Sequence, residues 1–327
     1  MYAPPFNITD EILWLVSEIS EQVGALNAVF GTRLPSPMLR KENRIKTIHS
    51  SLAIEHNSLS LQQVTDVING KHVLGAPNEI QEVKNAIQAY QLMKSLDAFQ
   101  EADLLRAHKL MMADLVDNAG QYRKGGVGVF AGEQCIHMAP PADRVPTLMA
   151  DLFEWISQTD THPLVSSCVF HYEFEFIHPF MDGNGRMGRY WQTILLSRWK
   201  GIFAWLPVET IVKQHQQDYY NAIAQSDAQG ESTAFIAFML RCILQSVKEQ
   251  QKVTNKVTDK VAYKVTDKSE DKLLNIIRET PSITIPQLMQ MLSMSDSGVR
   301  KILRKLQQQG RLVRIGANKN GHWKIIQ

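Results

Sequence analysis

The chain is poor in cysteine, with three in 327 residues, at positions 135, 168 and 242. An odd count, wide spacing and no CxxC pair argue against a zinc finger or a disulfide framework and leave buried free thiols as the expectation. Long apolar runs are missing too. None reaches the roughly 18 residues that suggest a spanning helix, and the opening MYAPPFNITDEILWL has neither the basic nor the apolar block of a signal peptide. A cytoplasmic protein with no membrane partner is expected. A disordered composition is absent as well: with 44% hydrophobic and 21% charged residues, the chain can bury at least one sizeable core, which excludes the disordered and collagen-like classes. Its length suits about two domains at roughly 150 residues each.

Net charge is nearly absent, +2 from 35 basic and 33 acidic residues, but the balance is not uniform. Residues 1–251 hold 20 Lys+Arg against 27 Asp+Glu, a net of −7, whereas 252–327 hold 15 against 6, a net of +9. Asymmetry of this kind marks a neutral or acidic body joined to a module that meets a polyanion. Between the two lies KVTNKVTDKVAYKVTDK, residues 252–268, with a lysine every fourth position. Its β-branched Val and Thr are mediocre helix formers and it offers no broad apolar face, so a solvated linker is expected.

Upstream, helical spacing of apolar residues predicts helices over 10–28, 40–55, 61–68, 79–96, 101–115, 145–157, 163–177, 186–199, 211–224 and 232–249. The exception is GGVGVFAGEQCIHM (125–138), where β-branched and aromatic residues flank Ala131-Gly132-Glu133, the pattern of a hairpin. Downstream, helices are expected over 271–278, over 286–292 with Thr284 as N-cap, and over 296–309. In the third, Val299, Ile302, Leu303 and Leu306 share one face while Arg300, Lys301, Arg304 and Lys305 fall largely on the other. Gly310 stops it, and RLVRIGANKNGHWKII (311–326) reads as two strands around a turn. Three helices and a hairpin are the elements of a winged helix-turn-helix, and the whole chain is expected to be mainly α.

The densest chemistry is HPFMDGNGRMGR, residues 178–189. A loop that opens a helix is a natural anion site: glycines let backbone amides approach a phosphate, the helix start adds its dipole, and arginines fork onto phosphate oxygens. Arg186 and Arg189, three apart, share a helix face, so a polyphosphate ligand follows from these properties. Gly183, Gly185 and Gly188 formally match GxGxxG, but no strand precedes them, which removes a dinucleotide fold. The chain has no GxxxxGK[ST] and is not a P-loop protein. His171 and His178, seven apart, are not a usual zinc pair, and His171 is expected to be structural.

This string resembles the signature of the Fic (Fic/Doc) family, HPFxxGNGRxxR, at every fixed position. The resemblance extends to GQYR (120–123), HMAPP (137–141), HYEFEFIHPF (171–180) and DYYNAI around Tyr219 and Tyr220. It covers most of residues 1–250, and the tail looks like the winged helix that follows some Fic domains. The resemblance implies an N-terminal helical region over 1–100 with an inhibitory helix at about 40–56, a catalytic core over 101–250, the linker over 251–269 and a winged helix-turn-helix over 270–327.

It also implies a function: transfer of AMP from ATP to a Ser, Thr or Tyr hydroxyl of a target protein or of the chain itself. His178 would be the general base and Asp182 the ligand of Mg²⁺. Gly183, Asn184, Gly185, Arg186, Arg189 and Tyr220 would bind ATP, and the hairpin would align the target by strand pairing. SSLAIEHNSL (50–59) is similar to the family's inhibitory pattern [ST]xxxE[GN]. Ser51 and Glu55 match it, and His56 stands where the pattern has Gly or Asn. Glu55 would then compete with the γ-phosphate for Arg189. Other members of the family use a different donor or remove AMP, and a DNA-binding regulator whose Fic domain senses nucleotide is the rival reading. The resemblance also admits a homodimer. Arg300, Lys301, Arg304, Arg314 and Lys319 are the expected DNA contacts of the tail.

Overall fold

The computed structural model describes residues 2–30, 36–131, 134–316 and 321–326, with the backbone alone for 29–30, 128–131, 134–138 and 255–268. Two compact units divide the chain, Met1–Gln250 and Gln251–Gln327. The expected tip of the hairpin, Gly132-Glu133, and the wing residue Lys319 lie outside the described residues.

The first unit is helical, its core centred on two consecutive helices, α7 (Pro163–Ile177) and α8 (Asn184–Trp199). Along α7 apolar residues occupy all sides, from Leu164 and Val165 through Phe170 to Phe174 and Ile177, and all of these are buried. A helix that is apolar all round belongs inside a protein. Pro163 starts it, where a missing N–H costs nothing, and His162 Nδ1 accepts from Leu164 N at 3.2 Å as its cap. Tyr190, Trp191 and Ile194 carry the same core along α8. Around this pair stand α1 (Asp10–Phe30), α2 (Pro37–Ile54), α3 (Leu61–Ile68), α4 (Pro77–Leu92), α5 (Glu101–Met111), α6 (Val145–Gln158), α9 (Val208–Gln214) and α10 (Gln216–Gln229). The helix expected over 211–224 is thus two helices, parted at His215.

Strands β1 (Gly128–Ala131) and β2 (Gln134–Met138) form the expected antiparallel hairpin, with Gly128 opposite Met138 and an irregularity between Val129 and Phe130. The long helix α11 (Thr233–Glu279) includes 252–268, where a solvated linker is expected. The repeat contains neither Pro nor Gly, so nothing in it stops a helix, and modest propensity is a weak barrier.

The second unit has its own core, built from Leu273 and Ile277 at the end of α11, Leu288 of α12 (Ile285–Leu292), and Val299, Ile302, Leu303 and Leu306 of α13 (Asp296–Gln308). Thr284 caps α12 in a reciprocal capping box with Gln287. Strands β3 (Leu312–Ile315) and β4 (His322–Ile325) pair antiparallel, adding Leu312 and Trp323 to that core. This is the expected winged helix-turn-helix order. No helix among the described residues is long and apolar enough to cross a membrane.

Candidate active site

The loop between α7 and α8 places the chemistry. His178 ends α7 in the left-handed region (φ 49°, ψ 59°), and Gly183 (φ 84°) opens α8. The turn needs glycine for its φ, and a Cβ there would also stand 2.6 Å from Met112 Sδ and push that side chain aside. Asn184 closes the loop on itself: its Oδ1 accepts from Phe180 N and its Nδ2 donates to Phe180 O, both at 2.9 Å. His178 Nδ1 lies 3.3 Å from the Glu175 carbonyl. A carbonyl only accepts, so Nδ1 carries the proton and the ring's lone pair is on Nε2, as a general base requires.

The loop is held from outside by residues that the sequence alone did not single out as functional. Arg123, buried, donates from Nε to His178 O at 2.7 Å and from Nη2 to Ile177 O at 3.2 Å, and its own N–H reaches Pro179 O at 2.9 Å. His108 on α5 accepts from Gly120 N through Nδ1 at 2.8 Å, which puts its proton on Nε2, 3.1 Å from Asp182 O. Its ring stacks on Phe180 with centroids 3.5 Å apart. Burial lowers the His108 pKa to about 4, so it works as a neutral clamp.

Both signature arginines are buried on the first turns of α8. Arg186 Nη2 donates to Asp182 Oδ1 at 2.9 Å and Nη1 to Glu82 Oε1 at 3.0 Å. Arg189 Nη2 donates to Glu55 Oε1 at 2.7 Å and to Ser51 O at 3.0 Å, while Nε reaches Ser51 Oγ at 3.2 Å. Burial works against the Arg189 charge, but Glu55, Tyr219 and Glu175 together hold the guanidinium pKa above its ordinary value. Arg186 Nε and Arg189 Nη1 are buried with no hydrogen-bond partner among the described residues. Arg189 Nη1 stands 3.0 Å from where a Cβ on Gly185 would be, so it faces the first turn of α8.

Ser51 and Glu55 are thus brought to Arg189 from α2. His56 adopts φ 69°, the left-handed conformation that Gly or Asn would take at a helix end. Histidine is among the non-glycine residues enriched there. Tyr220 sits at the same helix end: its hydroxyl donates to Ile54 O at 3.4 Å and accepts from Gln216 Nε2 at 3.2 Å. His171 is fully buried, with Nδ1 2.8 Å from Gln192 Oε1 and Nε2 3.2 Å from the Tyr219 hydroxyl. Glu175 Oε1 lies 3.6 Å from His171 Nε2, an ion-pair distance. Burial pushes the Glu175 carboxyl up, but His171, His178 and Arg189 together hold it below its ordinary value. In the second unit Arg300, Lys301 and Arg304 are exposed on α13. Arg300 Nε pairs with Asp296 Oδ2 at 2.5 Å, and Arg314 lies over the Trp323 ring at 4.8 Å.

A sequence profile of the Fic/DOC family matches residues 95–196. A solved structure, a Fic family protein from Desulfovibrio desulfuricans G20, is 47% identical, with a TM-score of 0.75 over 99% of this chain and 98% of that one. The chain belongs to the Fic family. A Fic domain containing signaling protein from Bacteroides thetaiotaomicron shares the Fic fold at 19% identity and a TM-score of 0.60, over 76% of this chain and 98% of that one. Among curated Fic relatives, the protein adenylyltransferase Fic of Aedes aegypti is 27% identical over 68% of this chain and 45% of its own length. That of Nematostella vectensis is 26% identical over 71% and 55%. This Fic chain spans about half the length of these relatives. A winged helix-turn-helix DNA-binding profile matches residues 266–313.

Proposed function

We propose that this Fic protein transfers AMP from ATP to a Ser, Thr or Tyr hydroxyl of a protein, and that Glu55 restrains the reaction by occupying Arg189. The observation that carries this reading is the pair of buried arginines on the opening turns of α8. Each keeps one buried nitrogen without an acceptor among the described residues, and a buried donor of that kind is costly unless an anion takes it. The loop amides and the start of α8 add to the same positive field.

In this reading His178 Nε2 accepts the proton of the target hydroxyl, the oxygen attacks the α-phosphorus, and the bond to the bridging oxygen breaks to release pyrophosphate. The Asp182 carboxylate, 58% exposed beside the phosphate loop, is a hard oxygen donor suited to Mg²⁺. Among the described residues no cluster of three or more His, Cys, Asp or Glu could enclose a metal. That fits an ion which takes one carboxylate and completes its shell with substrate phosphates and water. When bound, Mg²⁺ would neutralise phosphate charge, while the arginines and backbone amides orient the triphosphate and the hairpin backbone presents the target strand.

The exposed basic face of α13 supports an accessory contact with DNA, and a cytoplasmic setting completes the proposal. The test is to incubate Glu55→Gly with lysate and ATP labelled with ³²P at either the α or the γ position. Labelling of protein from the α position alone, lost on adding His178→Ala, is expected. Labelling from the γ position, or labelling that survives loss of His178, would overturn the assignment.

A further inference from the structure

Arg189 and its partner Glu55 leave the other signature arginine to be explained. Arg186 is 5% exposed and is held on two sides: Nη2 by Asp182 at 2.9 Å and Nη1 by Glu82 of α4 at 3.0 Å. The proposed reaction needs Asp182 to turn to the metal, which removes one of the two holds. Glu82 remains. Its second oxygen, Oε2, accepts from Asn57 Nδ2 at 2.7 Å, and the same Nδ2 donates to Glu79 O at 3.1 Å. Asn57 is 8% exposed, and its Oδ1 accepts from Leu59 N at 3.1 Å. One turn earlier on α4, Glu79 binds Ser58 N at 2.7 Å and Ser58 Oγ at 3.0 Å.

Glu82 therefore cannot swing with solvent: both its oxygens are engaged, one on Arg186 and one on a buried amide. Asn57 belongs to the segment that carries Glu55, but His56, in the left-handed region at φ 69°, turns the chain between them. Glu55 faces Arg189 while Asn57 faces α4. Departure of the Glu55 side chain thus leaves the Asn57–Glu82–Arg186 series in place.

We infer that Glu82 is a positioning residue of the nucleotide site, which fixes the Arg186 guanidinium so that its unpartnered, buried Nε is aimed at a phosphate oxygen, with Asn57 fixing Glu82 in turn. This rests on reading Arg186 as a phosphate ligand. A guanidinium held at one nitrogen keeps its planar fork oriented, and the ordering entropy is lost before the ligand arrives. The opposite role, a carboxylate competing with phosphate for Arg186, predicts the opposite sign in the test.

The test compares Glu82→Gln and Glu82→Ala in the Glu55→Gly background, with ATP titrated in the AMP-transfer assay. Glu82→Ala is expected to raise KM for ATP about ten-fold with kcat within about two-fold, and Glu82→Gln, which keeps an acceptor for one of the two donors and turns an amide N–H toward the other, to fall between. An unchanged or lowered KM overturns the inference. A second measurement needs no catalysis: the ¹⁵N–¹H signal of Arg186 Nε in the nucleotide-free protein. Glu82→Ala should broaden it or move it toward solvent-exposed arginines while that of Arg189 stays; an unmoved Arg186 signal overturns the inference. If Glu55→Gly transfers no AMP at all, the functional reading falls and the Arg186 signal still decides the role of Glu82.

Discussion

Removal of Glu55 tests both the restraint and the energy behind it. Arg189 is 2% exposed and Glu55 33%, so the pair is mostly withdrawn from solvent on the arginine side and half-open on the carboxylate side. At 2.7 Å this is a charge-assisted hydrogen bond, which contributes about 1.5 to 3 kcal/mol net. A γ-phosphate that takes Arg189 must first displace it. Glu55→Gly should therefore raise ATP affinity by about ten- to a hundred-fold, since each 1.4 kcal/mol is about a factor of ten. AMP ends at the α-phosphate and does not reach Arg189 in this reading, so its affinity should change by less than about three-fold. The fold should persist, because Ser51 still holds Arg189 through its carbonyl and hydroxyl oxygens. Calorimetric titration of wild type and Glu55→Gly with ATP and with AMP, each with Mg²⁺, reads the two ratios. Equal ATP affinities, or an AMP gain as large as the ATP gain, would refute the argument that carboxylate and γ-phosphate share one guanidinium.

Two further outcomes follow from groups away from that pair. Glu173 is 5% exposed and accepts from the Tyr2 hydroxyl at 2.8 Å; burial, with the Asp227 charge, pushes its carboxyl pKa from 4.5 up to about 7. A raised acid stabilises the fold below its unfolded pKa and loses that contribution as pH rises through its folded pKa. Stability should thus drop by up to about 3 kcal/mol between pH of about 4.5 and 7. Glu173→Gln should melt several degrees above wild type at about pH 8 and show no such gain at about pH 5; an equal offset at both would remove the assignment. On the winged unit, Arg300→Ala with Arg304→Ala should lower the slope of log affinity for duplex DNA against log salt by about 2, close to 0.9 per lost phosphate contact. A gel shift unchanged by the pair, or no shift of wild type at low salt, would remove DNA from the proposal.

What the sequence made legible was whatever the chain keeps together. HPFMDGNGRMGR carries a histidine, a carboxylate, glycines and both arginines within one short stretch, and the apolar run before it could only be a buried helix, so the centre of the candidate site was visible without a fold. The Glu55–Arg189 contact was reachable only through a family pattern, because the two residues are 134 apart and no local spacing joins them. The departure at His56 dissolves in the same way: what the helix end requires is a backbone at positive φ, and histidine supplies it at 69°. Glu82 and His108 had no such pattern. Each lies on a helix whose apolar spacing looks ordinary, 104 and 74 residues from the groups they hold, and a single Glu or His on an amphipathic helix reads as surface. Local propensity likewise decided little at 252–268, where Val and Thr are mediocre helix formers and the backbone is nonetheless helical. Propensity ranks residues by a few tenths of a kcal/mol each, too little to decide a segment that contains no helix breaker. Chemistry concentrated in one loop is therefore readable from composition and order, whereas the residues that aim it are readable only once the fold has brought distant helices to its edges.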